Sequence, residues 1–96
     1  MLTFIMLGKL KMAAHVHVKT LAERDSEAAE IIKAAGGKLI CLYYTFGHYD
    51  FVAVIEAPSE EAMAKILLEI GRFGTVCSET LLAMKPDQLY QIVSKV

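Results

Sequence analysis

Apolar positions recur along this chain with two alternating periods, and the alternation sets out its elements. Leu2 to Leu10 form an apolar run carrying Thr3, Phe4 and Ile5, the length and composition of a strand. The segment KMAAHVHVK that follows fits neither period cleanly. Thr20-Leu21-Ala22-Glu23 has the form of a capping box, and Leu21, Ala28, Ile31, Ile32 and Ala35 then share one helical face. Gly36-Gly37 predicts the stop. KLICLYYTF (38–46) and DFVAVIEA (50–57) are rich in β-branched and aromatic residues around a short break containing Gly47, which predicts a hairpin. Pro58-Ser59-Glu60-Glu61 opens a second helix whose buried stripe is Met63, Ile66, Leu67, Ile70 and Phe73, with Gly71 and Gly74 closing it. Residues 75–84 predict a fourth strand. Pro86 starts a short last helix with Leu89, Ile92, Val93 and Val96 on one side.

The order is β-α-β-β-α-β plus a terminal helix. It predicts an α+β, ferredoxin-like fold, with one four-stranded antiparallel sheet and residues 1–96 as a single domain. Right-handed crossovers put both main helices on the same face of that sheet. Side chains alternate between faces along a strand. In the second strand, Ile40, Leu42, Tyr44 and Phe46 are expected to oppose Leu39, Cys41 and Tyr43. In the third, Phe51, Ala53 and Ile55 oppose Val52 and Val54. Both sets are apolar, whereas a sheet with one wet face alternates apolar with polar. Two helices cover one face, so the other calls for a second copy. The expected assembly is a closed two-fold homodimer packed sheet to sheet, with higher oligomers open to it.

Composition agrees. The chain is 55% apolar, a high share for 96 residues with so much surface per volume. Ten Lys/Arg against eleven Asp/Glu give a net charge of −1 with no basic stripe, which argues against nucleic acid. The apolar start LTFIMLG is too short to span a bilayer, so no membrane role and a cytoplasmic location are expected. Cys41 and Cys77 sit in apolar runs without metal-ligand spacing, and are expected as buried free thiols.

Three groups of residues have chemistry to offer. His48 and Asp50 flank Tyr49 at the hairpin, where a histidine beside a carboxylate can move protons near neutrality. With Tyr43 they form the candidate catalytic set. The competing reading gives Gly47 a positive-φ turn position and Asp50 the task of accepting backbone N–H bonds. Tyr43, Tyr49 and Phe46 are candidate pocket-lining aromatics. His15 and His17 would point the same way on a strand and chelate a metal, but diverge by about 200° on a helix. No further ligand accompanies them at recognisable spacing, so no metal and no other cofactor is expected.

Gly8-Lys9, Gly36-Gly37-Lys38, Gly47-His48-Tyr49-Asp50, Glu56-Ala57-Pro58 and Thr80-Leu81 give the chain a nearly full-length resemblance to the GYD-domain family of small bacterial and archaeal proteins. The resemblance implies a fold like that of the dimeric α/β barrels and brings no established activity with it. His15 and His17 lie where family members often carry polar or charged residues, so they are not expected to be family-wide features. The favoured expectation is a homo-oligomeric module binding a small molecule or protein without catalysis. The alternatives are a cofactor-independent enzyme, monooxygenase- or isomerase-like, on a small apolar substrate using His48, Asp50 and Tyr43, and a metal binder using His15 and His17. No phosphate-cradling glycine loop or nucleophile elbow lifts the enzyme reading.

Overall fold

The computed structural model of the chain describes residues 1–11, 21–72 and 76–96. Its elements run β1 (Leu2–Leu10), α1 (Leu21–Ala34), β2 (Lys38–Tyr44), β3 (Phe51–Ala57), α2 (Glu60–Gly71), β4 (Val76–Ala83) and α3 (Pro86–Ser94). The strands form one sheet in the order β2-β3-β1-β4, antiparallel at every pairing. This is the ferredoxin-like arrangement expected from the order of periods. The expected capping box at Thr20, the H-x-H pair and the helix stop at Gly74 lie outside the described residues.

Local chemistry explains the boundaries. Ser59 caps α2 by accepting a hydrogen bond from the Ala62 N–H at 3.1 Å, and Glu60 and Glu61 sit against the positive end of the helix. α1 ends in a Schellman motif: the Gly37 N–H bonds the Ile32 carbonyl at 2.9 Å and the Gly36 N–H bonds that of Lys33 at 3.0 Å. Gly36 takes the left-handed φ of +82° that this motif asks for.

Both main helices cover the same face. Ile32 of α1 and Met63 and Ile66 of α2 pack with Phe4, Met6, Phe51, Ala53, Ile55 and Ala57 of the two central strands. Register places Phe4 beside Ile55, Met6 beside Ala53 and Gly8 beside Phe51. Gly8 leaves room for its cross-strand partner, because the Phe51 ring lies over it and a Cβ would run into that ring.

Three expectations change. The register of β2 slips between Leu39 and Cys41, so that Leu39 pairs with Ile55 and Leu42 with Ala53 on the helix side. Strict alternation along this strand therefore fails at Ile40, the extra residue of a bulge, which is 46% exposed. β2 also stops at Tyr44 rather than Phe46, because Thr45 turns into the loop: its N–H bonds the Asp50 carbonyl and its Oγ1 the Tyr49 carbonyl, both at 2.7 Å. Finally, both cysteines are free but neither is buried: Cys41 is half-buried, and Cys77 is exposed because it pairs with Lys9 on the face that neither helix covers. That face carries Ile5, Leu7, Val52, Val54 and Leu81. No residue of α3 is buried either.

Candidate functional site

The loop between β2 and β3 is held from both sides. Gly47 adopts a φ of +137°, available only to glycine at low cost. Asp50 continues the β1–β3 ladder: its N–H donates to the Gly8 carbonyl at 2.8 Å and its Oδ2 accepts from the Leu10 N–H at 2.7 Å. Tyr49 donates its hydroxyl to Glu79 Oε2 on β4 at 2.5 Å, and its ring meets His48 edge-on at 4.8 Å between centroids. The Lys9 ammonium lies 5.9 Å from the same ring. The hydrogen bond to Glu79 raises the Tyr49 pKa above its ordinary value, because ionising the phenol would bring two negative charges together.

The candidate catalytic residues are thus distributed. His48 is brought to Tyr49, Asp50 to the end of β1, and Tyr43 to the helix-free face, 65% exposed beside Val52. Replacing Asp50 by alanine leaves the part-buried Leu10 N–H without its acceptor, and is expected to cost about 1–3 kcal/mol. Asparagine, which keeps an acceptor oxygen, should recover most of that loss in urea denaturation. Equal losses for the two variants would mean that the Leu10 bond contributes little.

The main cavity lies elsewhere. A cleft of about 450 Å³, open to solvent along its rim, lies between α1 and the helix-facing side of the sheet. Met6, Leu42, Phe51, Ala53 and Ile55 line it from the sheet, and Leu21, Ala28 and Ile32 from α1. The volume falls in the range of small-molecule sites, about 300–1,000 Å³. Neither Tyr43, Phe46 nor Tyr49 is among its lining residues; the tyrosine there is Tyr44, whose hydroxyl donates to Asp25 Oδ2 at 2.7 Å. Desolvation and that hydrogen bond push the Tyr44 pKa up to about 12, so the phenol stays protonated and keeps donating at neutral pH. Arg24 also lines the cavity; its Nη1 is closed off from solvent and has no hydrogen-bond partner among the described residues.

Sequence reasoning passed over Arg24 and Asp25. The available signal was spacing: Leu21, Arg24, Ala28 and Ile32 follow one another by three or four residues, which puts a guanidinium on the core-facing stripe of α1. No three His, Cys, Asp or Glu residues converge on a metal-sized site among the described residues, and none of the described helices is long and apolar enough to cross a membrane.

Comparison with known proteins places these features. The GYD domain model matches residues 4–93. No curated protein matches the sequence. Among solved structures, AsnC of E. coli is 22% identical with a TM-score of 0.63, over 88% of this chain and 51% of that one. TTHA0845 of Thermus thermophilus is 23% identical with a TM-score of 0.58, over 88% and 95%. The leucine response regulatory protein LrpA of Mycobacterium tuberculosis is 12% identical with a TM-score of 0.57, over 88% and 51%. The chain spans about half the length of AsnC and LrpA, and the likeness is one of fold.

Proposed function

This chain belongs to the GYD-domain family, and we propose that it is a homo-oligomeric module that holds a small molecule without transforming it. The observation that carries the reading is the cavity under α1, which is large enough for a ligand and is apolar on its sheet side, with its polar groups gathered on α1 and at Tyr44. The hairpin supports it from the other side. Asp50 commits its carboxylate to the Leu10 N–H, and Tyr49 is engaged by Glu79, so both residues already have structural tasks. One neighbour in fold is named a leucine response regulatory protein, so the same scaffold serves a regulator elsewhere. A ligand-sensing role fits this chain.

The module works as a two-fold pair. The helix-free face is apolar at the middle of both central strands, with Ile5 beside Val54 and Leu7 beside Val52, between Thr3 and Glu56 at one end and Lys9 at the other. A second copy laid on that face buries it, and the exposed stripe of Leu89, Ile92, Val93 and Val96 around α3 offers further surface to the same partner. A larger assembly of such pairs is compatible with this contact.

The test is a titration with indole, followed through the methyl resonances of Ile32, Leu42 and Ile55. Saturable shifts are expected at these three positions. His48→Ala and Asp50→Asn should leave the midpoint within about twofold, well under 1 kcal/mol, whereas Ala28→Phe fills the cavity and should abolish the shifts. Shifts confined to residues 45–50 and lost with His48→Ala would instead favour an enzyme site at the hairpin.

A further inference from the structure

The cavity under α1 has an asymmetry that selects among ligands. Its sheet side is hydrocarbon, formed by Leu42, Phe51, Ala53 and Ile55, while α1 contributes a guanidinium. Taking the small-molecule reading of this cavity as its basis, we propose that the ligand is an apolar molecule bearing a single carboxylate, and that Arg24 binds that carboxylate.

Buried guanidinium nitrogens are nearly always paired, because an ionised donor removed from water needs an acceptor. Arg24 Nη1 has none among the described residues and is closed to any water-sized contact, so the ligand pairs with it only once the side chain turns into the cavity. The nearest acidic groups do not supply one. Asp25 accepts the Tyr44 hydroxyl, and Glu23 and Glu27, although they border the cavity, are exposed to solvent at its rim. The acceptor that matches a guanidinium fork is a planar carboxylate, which takes two parallel N–H bonds.

The three carboxylates also limit the ligand's charge. A doubly charged phosphate would meet Glu23, Asp25 and Glu27 with two negative charges at once, and the repulsion would offset what Arg24 offers. A monoanion meets half that repulsion and still satisfies the guanidinium. An alkyl chain or a single ring on the same molecule then lies against Phe51 and Ile55. The site thus selects on both ends, through charge at α1 and hydrocarbon at the sheet.

Octanoate and 3-phenylpropanoate, each compared with its primary amide, test this on the full chain by calorimetry and by the Ile32, Leu42 and Ile55 methyl resonances. The acids should bind at least about tenfold more tightly than the amides, and Arg24→Gln should erase the difference. Glu27→Gln, which lowers the negative charge at the rim, should tighten the acids and leave the amides unchanged. Acids and amides of equal affinity, or an acid preference that survives Arg24→Gln, would overturn the assignment of the carboxylate while the cavity reading stands. If indole shifts the three methyls and neither acid nor amide does, only the carboxylate assignment falls. If none of the compounds shifts them, both fall.

Discussion

Gly8→Ala is expected to lower stability by about 1–3 kcal/mol, the usual cost of forcing a methyl into a packed core. In a domain this size that corresponds to a fall in Tm of about 4–24 °C. The reason is specific to one cross-strand pair. Gly8 faces Phe51 in the β1–β3 register, and the phenyl ring occupies the space where a side chain on Gly8 would begin. The ring cannot retreat freely, because Tyr44 meets its edge at 6.5 Å between centroids. Its remaining way out is into the cavity it helps to line, so the same substitution should weaken indole binding. Phe51→Leu made in the Gly8→Ala background separates this contact from general strain. The two changes should be less costly together than the sum of the singles by at least about 0.5 kcal/mol in urea unfolding. Simple additivity would show that ring and glycine are not coupled.

Val54→Asp carries the second large effect. Val54 lies on a central strand on the helix-free face, flanked in register by Ile5 and Cys41. In the proposed pair it is buried against the other copy, and the symmetry places two carboxylates in the same apolar contact. An uncompensated buried charge costs about 3–5 kcal/mol, and two of them weaken the pair by about ten-thousandfold or more. Light scattering at micromolar concentration should therefore report a dimer for the parent chain and a monomer for the variant. The fold itself should survive, because Val54 points away from the core formed by Ile55, Met63 and Ile66. A parent chain that is monomeric under these conditions, or a variant that stays dimeric, would remove the sheet-to-sheet contact.

The arrangement of elements was legible because helices and strands bury side chains with different periods. Leu21, Ala28 and Ile32 announce one period, and the doubly apolar DFVAVIEA the other. The GYD signature was legible as a turn, through Gly47 and Asp50. That the Asp50 acceptor serves an N–H forty positions away, at Leu10, depends on which strands become neighbours, and no local pattern reports that. The slip at Ile40 was hidden for a related reason. Leu39 to Tyr44 is apolar at nearly every position, so an inserted residue breaks no visible alternation. The two tyrosines were unaffected by the slip: Tyr44 falls with Leu42 on the helix side and Tyr43 with Cys41 on the other, as the alternation predicts. The cavity itself reflects side-chain volume: Ala28 occupies a core-facing position of α1 where a larger residue would close the gap.

The bulge at Ile40 has a bearing on solubility. β2 is an edge strand, and an edge strand with regular pleating offers unpaired N–H and C=O groups to any other chain. The extra residue interrupts that row and twists the strand, and the exposed Lys38 adds a charge at its start. Strand-by-strand growth of the sheet into a fibre is discouraged on this side. The bulge leaves the molecule an apolar face that another copy can meet once, closing the pair on itself, rather than a margin along which copies accumulate without limit.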